Sequence, residues 1–274
     1  SLANFESREI MSGSFPTGIS PAIPPTPNYS ENNAKECNWE EINNFISGPW
    51  AWGSCDGGNY GLIANLLSRN GTVWDVDDPY VANDVACNGG LNYQRTLLDW
   101  RQINGSSMPS TALLKQYIDA YGPIYTSIEA DGVYGFHGGY DGTYTFDWYP
   151  VTGTPTAGTN HAVLIVGWSN NLPPTLSNPG VPADGWIVKN SWGDTWGDNG
   201  YFYITYGSAN IGFNSSFVYD WQDYNPNGGL LLYDEAGGWW GNAVGAGGTT
   251  CWALCEYTAP TDIDINRVEF WTND

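Results

Sequence analysis

TNHAVLIVGW (residues 159–168) and GWIVKNSWGDTWGDNGYFY (residues 185–203) are two apolar runs of strand length, separated by a Pro-containing loop. Gly, Pro and Asn punctuate both, and β-branched and aromatic residues fill them, so each reads as a buried strand. His161 heads the first run and Asn190 closes the second. Trp192 follows two residues later.

An imidazole held by a neutral amide is two thirds of a Cys-His-Asn hydrolase. The amide keeps the ring in one tautomer without adding charge. The nucleophile in such chemistry is a thiolate, because the neutral thiol reacts poorly. His161 is therefore the candidate base, Asn190 its orienting partner, and Trp192 the side chain that shields the bond from water. The only other histidine, His137, lies in the Gly-rich segment GFHGGYDG and reads as structural.

The rest of the composition narrows the classes. The chain has 274 residues, 8 Lys+Arg against 29 Asp+Glu, and a formal net charge of −21. A field of that sign repels phosphate backbones and anionic lipid, so nucleic acid and membrane surfaces are not expected partners. No apolar run has the length of a membrane span. The start, SLANFESREI, has no basic segment followed by an apolar one, so it is not a signal peptide. High Gly, Pro and aromatic content suggests a loop-rich extracellular protein, secreted or on a cell surface. Asn28, Asn70, Asn104 and Asn214 each head an Asn-x-Ser/Thr triplet and are candidate glycosylation sites. Of the five cysteines none forms a Cys-x-x-Cys pair, which disfavours a zinc ribbon or a redox motif. No metal and no cofactor is expected.

Along the chain, residues 1–12 carry Leu2, Phe5 and Ile10 at helical spacing. Residues 13–28 read as loop. Ser30 caps a short helix, Gly57-Gly58 opens NYGLIANLLSRN, and Gly71 ends it in a left-handed conformation. Ser110 caps TALLKQYIDAY, which Gly122-Pro123 stops. From Ile124 the period changes: IYTSIEA, HAVLIVGW, GWIVKN, YFYITY and SFVYDW read as strands. Helices first and strands later suggest an α+β fold with two lobes. After Trp221, DYNPNGG reads as a linker, and LLLYDE, TTCWALCEYTA and DINRVEFWT as strands of a further module.

NHAVLIVGW followed by WIVKNSWGDTWGDNGYFYI resembles the histidine and asparagine blocks of the papain-like cysteine peptidases. Gly122-Pro123-Ile124 resembles the Gly-Pro-Val block that opens their β lobe, and Cys55-Asp56-Gly57-Gly58 their Cys-Asn-Gly-Gly. YSENNAKEC (29–37) resembles Leu-Ser-Glu-Gln-x-Leu-x-x-Cys. Asp78-Pro79-Tyr80 with Cys87 resembles the Tyr-Pro-Tyr…Cys segment. The resemblance implies a papain-like α+β fold over 1–222, with 1–110 mainly a helical lobe and 111–222 mainly a β-barrel-like lobe. It also implies a Cys37–Cys87 disulfide, and a peptide substrate laid against Gly57, Gly58 and Asn160. Endopeptidase action by the Cys-His-Asn mechanism is the implied function, with the His161 ring within hydrogen-bond reach of the Asn190 amide and facing a cleft between the lobes.

The sequence departs from that pattern in three places. The Gln…Cys-Gly-Ser-Cys-Trp segment is absent. In the family the histidine follows the nucleophile by about 130–150 residues, whereas 160 residues already precede His161. SLANFES resembles the helix just after the nucleophile, so the cysteine is expected a few positions before Ser1, together with the partner of Cys55. Thr250-Cys251-Trp252-Ala253 imitates the nucleophile block, but Cys255, Thr258, Pro260 and Thr261 deny it the helix whose dipole would stabilise a thiolate. Cys251 and Cys255 read as structural. Ile211 stands at or beside a position often held by a disulfide cysteine, near the expected pocket floor at 208–212. Residues 223–274 resemble the start of a lectin-like β-sandwich, whose aromatics would take glycans or surface polymers. A catalytically inactive papain-like domain serving binding or surface assembly is the alternative expectation.

Overall fold

The first helix, α1 (Leu2–Ser12), buries a mixed face. Leu2, Asn4, Phe5 and Glu9 are inside, whereas Ile10 is 56% exposed. The apolar spacing therefore locates the helix but not the whole of its inner face. Asn4 and Glu9 can be buried because each finds partners there: Glu9 accepts from the Tyr29 hydroxyl and the Arg95 guanidinium. The computed structural model describes residues 2–13, 26–38, 57–103, 107–130, 145–146, 159–175 and 178–229, with 256, 258, 262–265 and 268.

Three further helices begin where capping chemistry places them. Ser30 Oγ accepts from the Asn33 N–H (2.8 Å) to start α2 (Glu31–Glu36). Asn59 Oδ1 accepts from the Leu62 N–H (2.8 Å) to start α3 (Tyr60–Arg69). Ser110 Oγ accepts from the Leu113 N–H (3.2 Å) to start α4 (Thr111–Tyr121). Gly71 takes φ +97°, and a Cβ there would lie 2.6 Å from the Arg95 carbonyl oxygen. The turn after α3 thus needs glycine for both its torsion and its closeness to the next segment. Cys37, at the end of α2, is disulfide-bonded to Cys87.

The strands are β1 (Arg95–Gln102), β2 (Ile124–Ile128), β3 (Thr145–Phe146), β4 (His161–Leu172), β5 (Ala183–Lys189), β6 (Tyr201–Thr205) and β7 (Phe213–Asp223). They form one open sheet in the order β1-β7-β2-β4-β5-β6-β3. Every neighbouring pair is antiparallel except β3 with β6. Five strands coincide with the runs expected after Ile124. The two-residue β3 and β1 do not; β1 lies among the helices, and RTLLDWRQ has no clean alternation. Its pairing with β7, more than a hundred residues later, makes it a strand.

Two hydrophobic cores flank this sheet. One gathers Leu114 and Ile118 of α4 with Ile124, Ile128, Val163, Ile165, Trp186, Val188, Phe202 and Ile204. The other gathers Leu2 and Phe5 of α1 with Tyr29, Tyr60, Leu66, Leu67, Trp74, Leu97 and Val218. Each fully buried apolar side chain of this kind contributes about 1.5–3 kcal/mol. The fold is thus mixed α+β, one open sheet with one core gathered against it by α4 and another by α1 and α3. Nearly all of LLLYDE, TTCWALCEYTA and DINRVEFWT lies outside the described residues, and the few described residues of 256–268 are in no strand.

Candidate active site

β4 begins at His161 and β5 ends at Lys189, and the two are antiparallel, with Leu164 opposite Lys189. The head of β4 and the residue after β5 therefore share one end of the sheet. There the His161 Nε2–H donates to Asn190 Oδ1 at 2.8 Å. The same oxygen accepts the Ser191 N–H (2.8 Å), and the Asn190 N–H donates to the Gly200 carbonyl (2.9 Å). These bonds orient the amide so that its oxygen, not its nitrogen, meets the imidazole. The tautomer follows: Nε2 carries the proton and Nδ1 is the atom turned to other chemistry.

Trp192 packs on this pair with its ring centroid 5.0 Å from that of His161. It is itself 45% exposed, so it covers the imidazole on one side only. Trp196 stands edge-on against Trp192 (5.0 Å) and against Phe202 (5.8 Å), which roots the aromatic wall in the core. Asn190 is only 6% exposed. Burial pushes the His161 pKa below its usual value, and the bond to Asn190 partly offsets this. Such an imidazole is neutral near pH 7 unless an anion faces it.

Asn160, expected at the substrate, has a visible role in the scaffold. Its side-chain oxygen accepts the Ala130 N–H (2.7 Å), and its own N–H donates to the Ile128 carbonyl (2.9 Å). Both bonds extend the β2–β4 ladder just beyond the pair Ile128 and His161, so Asn160 holds the strand on which His161 is mounted. Gly57 and Gly58 are exposed ahead of the Asn59 cap. Gly57 has φ +120° and open space where a Cβ would be.

Ser208, Ala209, Asn210 and Ile211 are buried, and the Ala209 carbonyl accepts the Glu129 N–H. Asn28 is exposed, and Asn70 and Asn214 are half-buried. Asn104, Cys55, Cys251, Cys255, Asp56 and His137 lie outside the described residues. A cavity of about 440 Å³, lined by Thr175, Asn178, Asp184, Thr205 and Tyr206 among others, opens at the far end of β4 and β5. None of the site residues lines it.

Reasoning from the sequence overlooked three features near the site. Ser191 supplies a second donor to Asn190. Trp196 buttresses Trp192, and the WGDTWG spacing of two tryptophans was its available signal. Glu6 on α1 accepts the Tyr29 N–H (2.7 Å) and feels the charge of Lys189, the residue before Asn190. Burial pushes the Glu6 carboxyl up to about 7; the Tyr29 bond opposes this, Glu31 adds to it and Lys189 opposes it.

A family model described as Papain family cysteine protease matches residues 22–221. A viral cathepsin of the Lymantria dispar multicapsid nuclear polyhedrosis virus is 30% identical over 156 residues, which are 55% of this chain and 37% of that protein. A thiol protease of Hemerocallis sp. is 32% identical over 154 residues, 54% of this chain and 36% of that protein. The chain thus spans less than two fifths of the length of either relative. Among solved structures, the bromelain protease of Ananas comosus superposes with TM-score 0.53 at 19% identity, over 79% of this chain and 84% of that one. The cysteine protease and lectin-like domains of a surface layer associated protein of Clostridium difficile superpose with TM-score 0.60 at 17% identity, over 82% and 46%. At these identities the likeness is one of fold. By the match over 22–221, the chain belongs to the papain family of cysteine proteases.

Proposed function

We propose that this chain supplies the histidine and asparagine of a Cys-His-Asn endopeptidase, outside the cell, whose cysteine lies in residues preceding Ser1. The observation that carries the reading is the 2.8 Å bond from His161 Nε2 to Asn190 Oδ1, with Trp192 packed over the ring. With Nε2–H committed to the amide, Nδ1 takes the thiol proton and later returns it to the leaving amine. The thiolate forms a bond to the scissile carbonyl carbon, the amine departs, and an acyl-thioester remains. Water then attacks that ester with His161 as base, releasing the acid and restoring the thiol. The substrate class is peptide or protein, laid along the exposed Gly57-Gly58 strip. The extracellular setting is supported by the Cys37–Cys87 disulfide and by the excess of acidic residues.

The test uses the polypeptide with the residues ahead of Ser1 included, assayed on an unstructured protein substrate. His161→Ala is expected to lower kcat by about 100- to 10,000-fold, the usual worth of a general base. Full activity in that variant, or a residue other than cysteine at the expected upstream position, would sink the reading. The second outcome favours an inactive domain used for binding.

A further inference from the structure

The last residue pair between β2 and β7 is Tyr125 with Ser216. Continuing that register two residues sets Pro123 opposite Val218, but no ladder bond forms there. Instead the side chain of Asn4 from α1 stands between them. Asn4 Nδ2 donates to the Pro123 carbonyl (2.5 Å), and Asn4 Oδ1 accepts the Val218 N–H (2.7 Å). The Tyr60 hydroxyl donates to the same oxygen (3.3 Å). Asn4 is fully buried. One helical turn on, Arg8 donates from Nε to the Val218 carbonyl (3.1 Å) and from a terminal nitrogen to the Tyr121 carbonyl (2.9 Å). Its guanidinium also lies over the rings of Tyr121 (5.4 Å) and Trp221 (5.5 Å).

A carboxamide has the donor and acceptor of a peptide group. Asn4 therefore acts as a piece of surrogate strand, satisfying two backbone groups where the proline has no N–H to give. Spacing i, i+4 puts Asn4 and Arg8 on one face of α1, and both grip Val218. We propose that Asn4, backed by Arg8, is a positioning residue for catalysis. It sets where the leading end of α1 stands relative to the sheet that carries His161, since β2 is the strand paired with the head of β4. This rests on the proposed reading that the nucleophile lies just ahead of α1. An apolar helix face could slide by a fraction of an ångström with little loss. A wedged amide cannot, because any shift breaks directional bonds to two chain segments.

The test compares the parent polypeptide with Asn4→Leu, Asn4→Asp and Arg8→Met. Hydrogen exchange at the Val218 amide reports the wedge, and kcat, KM and the acid limb of the pH profile report the site. Misplacing reacting groups by about 1 Å costs on the order of 100-fold in rate. Asn4→Leu should speed Val218 exchange, lower kcat about 10- to 100-fold with KM changed less than about threefold, and move the acid limb. If Asn4→Leu does not fold, Asn4→Asp, which keeps the shape and the acceptor for the Val218 N–H but loses the donor to Pro123, carries the same expectation for kcat, KM and the acid limb. Faster Val218 exchange with the parent's kcat and pH profile would overturn the proposal and leave a purely structural contact. A parent protein that cleaves nothing removes the peptidase reading and this inference with it; an active parent with indifferent variants removes this inference alone.

Discussion

The His161 imidazole sits under two opposing influences that can be separated by mutation. Burial against Trp192 lowers its pKa, and the bond to Asn190 raises it. Trp192→Ala should let water reach the ring and move the pKa up, whereas Asn190→Ala should move it further down. NMR titration of the His161 ring in this chain checks both signs, and shifts in the same direction would contradict the account. The sequence marked these three residues by their chemistry, order and spacing and by the resemblance of the two blocks to the papain-like peptidases; the antiparallel pairing of β4 with β5 is what brings them together. It did not mark Ser191, and it marked Asn160 for the substrate rather than for the β2–β4 ladder that it extends, since a backbone N–H and a ladder-extending amide have no signature in residue type.

Element boundaries follow local chemistry closely where a cap or a glycine is involved. The hydroxyl or amide of Ser30, Asn59 and Ser110 each satisfies a helix donor that would otherwise face no partner. Gly71 illustrates how a local rule and a tertiary one coincide. Its φ of +97° disfavours a side chain, and the Arg95 carbonyl leaves no room for one. Gly71→Ala should destabilise the fold by roughly 1–3 kcal/mol, read from the shift of a denaturant midpoint. Three elements went otherwise, of which β3 is only two residues long. β1 was hidden because an edge strand with a bulged register shows no clean alternation. In α1 the inner face is part polar, so the apolar period put Ile10 inside when it is exposed.

At the scale of the molecule, a carboxyl on α1 ties stability to pH. Glu6 reaches about 7 because burial disfavours its charge, so the folded chain holds a proton that the unfolded chain has lost. Its folded value lies above the unfolded one. The protonated carboxyl's contribution is therefore complete below pH ~4.5 and fades as pH rises toward about 7. Glu6→Gln should flatten that part of the profile, so that Tm falls less between those two pH values than in the parent; an unchanged slope would contradict the assignment. Glu31, Lys189 and Tyr29 are other groups acting on this carboxyl. The sequence by itself determined the α+β class, the helix starts and five of the strands. Those depend on periodicity, capping and residue chemistry, which act over a few positions. Only the tertiary structure decided that β1 joins the sheet, that Asn4 and Arg8 replace a missing ladder between β2 and β7, and that the half-buried Glu6 comes under the charge of Lys189. Each of these joins segments dozens to hundreds of residues apart, and a buried polar side chain is explained only by the partners that folding brings to it.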